Sequence, residues 1–216
     1  MKLFLTSAGL SNQKLAKAFI GLTGLKKDKI KIAFIPTAAN IEEGDKGWLI
    51  DDYINLKKQG FGSIDIVDIS AVSKDIWKPR LEQANVLFLG GGNTFHLMHW
   101  VDKSGLKKLL PELLKTKVYA GISAGSCIAG PTIYNSVQNL FGEKYDLQIE
   151  KGLGLVDFQF IPHLNSPYFK KIRVKDLETA SKELTEPVYA LDDNSAIVVD
   201  GKNVEIVSTG KWNKFN

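Results

Sequence analysis

Residues 117–131 read KVYAGISAGSCIAGP, and this stretch decides how the rest of the chain is interpreted. A short apolar run, Val118–Ala120, leads into the pattern Gly-x-Ser-x-Gly, and a brief helical run follows it. The pattern predicts a sharp strand-to-helix turn with Ser123 at its apex, as in a nucleophile elbow. Gly121 and Gly125 suit such a turn, because a strained residue at the apex crowds the positions two residues away.

The same turn predicts a place for a negative charge beside the serine. Backbone amides at the start of a helix have no intrahelical acceptor, so they can point at an anion. Ala124 directly follows Ser123 and is the first donor that we expect. The alternative is that the pentapeptide is only a tightly packed connection, and the rest of the chain has to distinguish the two readings.

Composition and charge narrow the class of protein. The 216 residues include 28 Lys and Arg against 24 Asp and Glu, with a net charge of +4 and no dense basic patch, so we expect no nucleic-acid partner. No stretch approaches the about 20 apolar residues of a membrane span, or the apolar core of a signal peptide. We therefore expect a soluble cytoplasmic protein without a membrane partner. The one cysteine, Cys127, fits a reducing compartment and is expected to be a buried packing residue.

Apolar runs alternate with helical patterns from the first residues up to the turn at Ser123. The predicted strands cover residues 2–6, 30–36, 64–69, 85–89 and 118–120. The first helical pattern is predicted to be capped by Ser11, and others cover residues 48–58 and 106–114. Such alternation is typical of a parallel sheet with helices on both faces. Asp65 and Asp68 make the third run less apolar, which places it near an edge of the sheet.

The C-terminal third has a different pattern. Residues 152–161 and 188–210 look rich in strands, and Asp200–Asn203 is a hairpin signal between two apolar runs. We therefore expect this part to form an antiparallel extension of the same sheet.

A serine nucleophile needs a base, and histidine is the usual one because its pKa lies near neutral pH. His96 and His99 share one predicted helix, and without a third ligand nearby we expect packing or surface residues rather than a metal pair. His163 follows the apolar run 158–161 and a proline, so it lies where a predicted strand ends. Sites are commonly built at strand ends, which makes His163 the predicted base.

The imidazole in turn needs a carboxylate that holds its tautomer and stabilises the imidazolium. Asp192 and Asp193 lie between two apolar runs, at another predicted strand junction, and Asp146 and Asp157 are further candidates. Asp-Asp-Asn-Ser is also a good turn composition. The residue pattern alone leaves the choice of acid open.

A glycine-rich loop, residues 90–92, follows the fourth predicted strand. Its backbone can approach a ligand closely, so the amide of Gly91 or Gly92 is a candidate second donor to an oxyanion beside Ala124. Phosphate binding is the rival interpretation, but the loop lacks both the G-x-G-x-x-G pattern and the lysine of a P-loop.

Four motifs, in this order and spacing, resemble the peptidase E (aspartyl dipeptidase) and cyanophycinase family of serine peptidases. They are LGGGNTF at residues 89–95, GISAGS at 121–126, PH at 162–163 and LDDNSA at 191–196. The resemblance covers nearly the whole chain. It implies one α/β domain over residues 1–216, with a flavodoxin-like fold related to class I glutamine amidotransferases. It implies no cofactor and no metal, and a small peptide as partner, while a homodimer stays open.

The resemblance also implies roles for individual residues. Ser123 is the nucleophile, His163 the base, and Asp193 the acid, with Asp192 as the alternative. The family generally has a glutamate at the acid position, so an aspartate requires a closer approach of the two loops.

Substrate recognition follows from the same resemblance. It implies that Asn93 and Thr94 lie beside the substrate, and that an arginine after the histidine holds an N-terminal aspartate, which points to Arg173. The expected reaction is hydrolysis of short peptides, in particular dipeptides with N-terminal aspartate. A non-catalytic binding or sensing module on the same fold, and an esterase or amidase, are the alternatives.

Overall fold

Ten strands form two sheets in the computed structural model, which describes residues 1–133, 140–147 and 149–216. The strands are β1 (Lys2–Thr6), β2 (Lys31–Ile35), β3 (Ser63–Ile66), β4 (Val86–Leu89), β5 (Val118–Ile122), β6 (Gln159–Ile161), β7 (Val188–Leu191), β8 (Ser195–Asp200), β9 (Asn203–Ser208) and β10 (Trp212–Phe215). The central sheet has the order β3-β2-β4-β5-β1-β8-β9, and the small sheet has the order β10-β7-β6.

Helices connect most of the parallel strands. They are α1 (Gln13–Thr23), α2 (Gly47–Lys58), α3 (Lys74–Gln83), α4 (Thr94–Lys103), α5 (Leu106–Leu113), α6 (Ala124–Cys127) and, further along the chain, α7 (Val174–Ala180). The N-cap of α1 is Asn12, whose side chain accepts a hydrogen bond from the Leu15 amide, and not Ser11 as predicted. Within the described part of the chain, no helix is long and apolar enough to cross a membrane.

The central sheet has the predicted architecture. Strands β3, β2, β4, β5 and β1 are parallel, and β3 lies at the edge of the sheet. The chain moves outward from β2 to β3 and then returns to β4 on the other side of β2. Open α/β sheets bind ligands at the carboxyl ends of their strands near such a reversal. A ligand is therefore expected at the loops that follow β2, β4 and β5.

Alternate residues of each central strand pack on opposite faces of the sheet. On one face Phe4 and Phe88 pack against Phe19 of α1, and Phe34 packs against Phe88. On the other face Leu87 and its neighbours pack against residues of α3, α4 and α5. Because both faces are covered by helices, the strands are continuously apolar, and the sequence could reveal them.

The C-terminal third divides between the two sheets. Strands β8 and β9 continue the central sheet in antiparallel fashion, and Gly201, with φ of 61°, lies in the predicted hairpin turn between them. Residues 152–158 form no strand, whereas β6 pairs in parallel with β7 in the small sheet. The sequence did not predict this second sheet, because the short turn 192–194 moves the chain from one sheet to the other.

Candidate active site

Ser123 lies between β5 and α6 in a rarely adopted backbone conformation, with φ of 47° and ψ of −108°. A Cβ atom on Gly121 would come within 2.6 Å of backbone atoms of Gly125, and one on Gly125 would come within 2.2 Å of the Leu89 carbonyl oxygen. Both positions therefore require glycine: the clash at Gly121 lies within the turn, as predicted, whereas the clash at Gly125 is with the neighbouring strand β4. The turn presents the serine at the carboxyl edge of the sheet.

Buried side chains anchor this turn to the neighbouring strand. The Ser126 hydroxyl accepts a hydrogen bond from the Thr6 amide (2.9 Å) and donates one to the Thr6 carbonyl (2.8 Å). The Thr6 hydroxyl donates to the Gly121 carbonyl (2.8 Å), and the Tyr119 hydroxyl donates to the Gly125 carbonyl (2.6 Å). The sequence did not predict these contacts, since Thr6 lies more than 100 residues from its partners Gly121 and Ser126. The network fixes the strained turn on both sides.

The structure brings His163 between Ser123 and Asp193. Its Nε2 atom lies 3.0 Å from Ser123 Oγ, and its Nδ1 atom lies 2.7 Å from Asp193 Oδ1. An ionised carboxylate only accepts hydrogen bonds, so Nδ1 carries the proton and Nε2 is left to accept from the serine hydroxyl. The three groups therefore form a hydrogen-bonded chain at the carboxyl edge of the sheet.

The histidine also has a constrained backbone, with φ of 63°. Its amide donates to the Ser7 hydroxyl (3.1 Å), and Ser7 in turn donates to the Leu191 carbonyl (2.8 Å). Ser7 thus ties the loop after β1 to the end of β7 and to the histidine. Apart from its position directly after a predicted strand, no pattern in the sequence pointed to this residue.

The two neighbouring aspartates have different surroundings. Asp192 accepts hydrogen bonds from the Ser195 hydroxyl (2.6 Å), the Asn194 amide (3.0 Å) and the Lys211 amide, so its carboxylate holds the turn before β8. Asp193 instead faces His163, and its backbone carbonyl accepts from the Ser11 hydroxyl (2.6 Å). The shorter aspartate therefore reaches the imidazole. Asp146 and Asp157, the other candidates, make no contact with His163 in the described residues.

A short loop after His163 covers one face of the imidazole. The Phe169 ring stacks on it with 4.8 Å between ring centroids and 22° between planes. The Arg173 guanidinium donates to the carbonyls of Ser166 (2.9 Å), Phe169 (2.9 Å) and Ile172 (3.0 Å), which closes the loop. Three of its five N–H donors are thus engaged with the backbone. Contact between Arg173 and a substrate stays a prediction.

The glycine-rich loop lies directly against Ser123. A Cβ atom on Gly91 would come within 3.4 Å of Ser123 Cβ. Gly92 has φ of 126°, and a Cβ atom there would come within 2.3 Å of the Ala38 carbonyl oxygen. No hydrogen bond from the amides of Gly91, Gly92 or Ala124 is found among the described residues. Donation by these amides to an anion beside the serine stays a prediction.

Asn93 and Thr94 follow this loop, but their side chains are buried in contacts within the protein. Asn93 caps α4 by accepting from the His96 amide (2.9 Å). The amide and hydroxyl of Thr94 both donate to the Glu143 carboxylate, at 2.6 and 2.9 Å. Burial outweighs these hydrogen bonds and raises the pKa of Glu143 to about 7. The structure gives both side chains a role in the fold, and substrate contact by them stays a prediction.

The remaining histidines and the cysteine are not part of the hydrogen-bonded chain. His96 is buried against Tyr145, neither ring nitrogen has a partner among the described residues, and burial lowers its pKa. Cys127 is buried, and burial raises the pKa of its thiol well above the ordinary value, so it is a packing residue in this fold. Over the described ranges, no group of three or more His, Cys, Asp or Glu side chains is arranged to hold a metal ion.

A serine on a strand-to-helix turn, hydrogen-bonded to a histidine that in turn bonds an aspartate, at the carboxyl edge of a parallel sheet, is typical of α/β serine hydrolases. Comparison with known proteins assigns the family. The model of Peptidase family S51 matches residues 3–207, and the chain belongs to this family of peptidases.

Individual relatives agree with this assignment. An uncharacterized peptidase of Pasteurella multocida is 31% identical over 93% of this chain and 94% of its own length. The peptidase E of Shewanella amazonensis is 27% identical over 80% of this chain and 79% of its own. The crystal structure of a candidate peptidase E from Listeria monocytogenes superposes with a TM-score of 0.82 and 28% identity, covering 97% of this chain and 98% of that one.

Proposed function

We propose that this protein is a serine peptidase that hydrolyses short peptides, with Ser123 as nucleophile, His163 as general base and Asp193 as the acid that orients it. One observation carries the proposal. His163 lies within hydrogen-bonding distance of both Ser123 Oγ, at 3.0 Å, and Asp193 Oδ1, at 2.7 Å. Membership of a peptidase family supports hydrolysis of peptide bonds as the reaction.

The proposed reaction begins when Ser123 Oγ attacks the carbonyl carbon of the scissile bond and its proton moves to His163 Nε2. Asp193 stabilises the imidazolium that forms. The imidazolium then gives the proton to the departing amine, and an acyl-enzyme ester remains on Ser123. Water attacks this ester while His163 takes a proton from the water. The imidazolium then returns a proton to Ser123 Oγ when the acid product leaves.

The oxyanion of each tetrahedral intermediate needs donors that are already in place. The amides of Ala124 and of Gly91 or Gly92 are proposed for this role, because Ala124 follows Ser123 directly, the glycine-rich loop approaches Ser123 at Gly91, and no hydrogen bond from these amides is found among the described residues. Loss of one such donor in other enzymes costs about 10²- to 10³-fold in kcat.

We further propose a preference for dipeptides with N-terminal aspartate. The names of several relatives as peptidase E support a small peptide substrate. Arg173 is the proposed partner of the aspartate side chain, since two of its N–H donors remain beyond the three used in the loop.

Purified protein should be incubated with Asp-Leu, Ala-Leu and β-Asp-Lys, and the released leucine or lysine measured by chromatography. We expect cleavage of Asp-Leu, slower cleavage of Ala-Leu, and a loss of at least about 10³-fold in the variant Ser123→Ala. A fluorophosphonate should label Ser123 in the wild type. Labelling without cleavage of any of the peptides would favour the esterase or amidase reading, and neither labelling nor cleavage would favour a binding module.

A further inference from the structure

The Phe169 side chain contacts the proposed base directly, and the proposed reaction does not use it. Its ring lies almost parallel to the His163 imidazole, with 22° between the planes and 4.8 Å between the centroids. The phenyl ring thus covers a face of the imidazole, while the two nitrogen atoms at the ring edge bond Ser123 and Asp193. Phe169 therefore touches the group that would move the proton, without competing for its hydrogen bonds.

The two hydrogen bonds of His163 do not by themselves set the plane of its ring. Nε2 lies 3.0 Å from Ser123 Oγ and Nδ1 lies 2.7 Å from Asp193 Oδ1. A rotation of the ring about the line through its two nitrogen atoms moves neither atom, so it leaves both distances unchanged. Such a rotation would nevertheless turn the lone pair of Nε2 away from the serine proton, and proton transfer depends on this alignment. A flat group packed against the face of the imidazole opposes the rotation.

The surrounding structure holds the Phe169 ring in this position. The ring of Phe141 meets it edge-on, with 5.3 Å between centroids and 74° between planes, and both rings pack on one small apolar cluster. The Phe169 carbonyl accepts a hydrogen bond from the Arg173 guanidinium (2.9 Å). The Leu164 amide donates to the Leu191 carbonyl (3.0 Å), which ties the start of the loop to β7. A ring that is supported from behind in this way forms a fixed wall for the imidazole.

The phenyl face also interacts differently with the two charge states of the histidine. An aromatic face attracts a cation within about 6 Å of its centroid, and the imidazole centroid lies at 4.8 Å. The His163 side chain is only 15% exposed, so little water competes for its charge. The attraction acts fully only after the imidazole has taken the serine proton, and it therefore favours the transition state over the resting enzyme.

We propose that Phe169 is a positioning residue for His163, which fixes the plane of the imidazole and stabilises the imidazolium that forms when Ser123 attacks. The inference rests on the proposed function and deepens it by adding a group that acts on the base. Because Phe169 acts through His163, its effect should be the same for every peptide. The effect should also extend to a probe that reacts with Ser123 and is not a peptide.

The test removes the aromatic face but keeps an apolar side chain. We expect Phe169→Leu to lower kcat on Asp-Leu and Ala-Leu alike, by about 3- to 30-fold, with KM nearly unchanged. Fluorophosphonate labelling of Ser123 should slow by a comparable factor. Phe169→Tyr keeps the aromatic face and should restore both rates. Phe215→Leu is the matched control, because it removes a ring from the same apolar cluster at a position where the described residues show no ring contact with His163, and it should keep the wild-type rates.

Three outcomes overturn the inference and leave the peptidase function intact. Wild-type labelling and kcat in Phe169→Leu would show that the ring does not act on the base. Equal losses in Phe169→Leu and Phe169→Tyr would show that the aromatic face is not what matters. An equal loss in Phe215→Leu would assign the effect to packing of the cluster. If the wild type is labelled but cleaves no peptide, the peptidase function fails, and the labelling rates of the variants still decide the role of Phe169.

Discussion

At the level of single residues, the contacts of two adjacent aspartates show which of them pairs with His163. Asp193 lies 2.7 Å from His163 Nδ1, whereas Asp192 accepts hydrogen bonds from Asn194, Ser195 and Lys211. A side chain one methylene shorter than glutamate therefore suffices here to reach the histidine. The side chain of Asp193 is 45% exposed and that of His163 only 15%, so the pair is open to solvent mainly on the side of the acid.

The two aspartates can be separated by matched substitutions. We expect Asp193→Asn to lower kcat by at least about 100-fold, because an amide favours the wrong tautomer of His163 and does not stabilise the imidazolium. Asp192→Asn should keep kcat close to that of the wild type and lower the melting temperature, since the turn before β8 loses acceptors. Peptide hydrolysis and thermal unfolding measure the two effects. A larger loss of kcat in Asp192→Asn than in Asp193→Asn would contradict the assignment.

At the level of elements, the loop of residues 164–172 connects Arg173 with the histidine. The guanidinium closes the loop through three carbonyls, and the loop holds the Phe169 ring against His163. The arginine thus holds the loop that covers His163, in addition to its proposed contact with the substrate. The planar guanidinium group can bond several carbonyls at once, and the ammonium group of a lysine cannot reproduce this geometry.

Arg173→Lys and Arg173→Met distinguish the two roles of the arginine. Both variants should lower kcat on Asp-Leu and Ala-Leu alike, because the loop and Phe169 lose their anchor. Only Arg173→Met, which removes the positive charge, should also lower the preference for Asp-Leu over Ala-Leu. The ratio of kcat/KM values for the two peptides is the measurement. An unchanged ratio in Arg173→Met would show that another group recognises the aspartate.

At the level of the whole molecule, burial of acids makes stability depend on pH. The pKa of Asp52 is raised from 3.8 to about 7, and that of Glu143 from 4.5 to about 7. An acid with a raised pKa in the folded state contributes most to stability below its unfolded pKa, and that contribution is lost as the pH rises through the folded value. Both acids therefore make the folded protein less stable on going from acidic to neutral pH.

This dependence predicts a stabilised variant. Asp52→Asn should unfold at a higher temperature than the wild type at pH 8, with a gap in unfolding free energy of at most about 4 kcal/mol, since each pKa unit is worth about 1.4 kcal/mol. The difference in unfolding free energy between variant and wild type should shrink as the pH falls from 7 to 4. Over this range Asp52 first becomes neutral in the folded state, and it becomes neutral in the unfolded chain only near pH 4. Thermal unfolding over this pH range, with Asp51→Asn as control, measures it. A gap that does not change with pH would contradict the raised pKa.

The sequence by itself determined the α/β class and the parallel strands. The strands that are covered on both faces appear as uninterrupted apolar runs, and the turns at Ser123 and Gly201 have local signals that depend on a few adjacent residues. The sequence predicted Ser123 from the Gly-x-Ser-x-Gly pattern and His163 from its position at the end of an apolar run.

Only the tertiary structure decided which distant groups meet. The pairing of Asp193 with His163 and the anchoring of the turn by Thr6 and Ser126 depend on contacts between segments far apart in the chain. The small sheet likewise depends on pairing between strands β6, β7 and β10, which come from separate parts of the chain. Hydrophobic periodicity records which face of an element is buried, but it does not record the partner, and that partner is set by how the elements pack together.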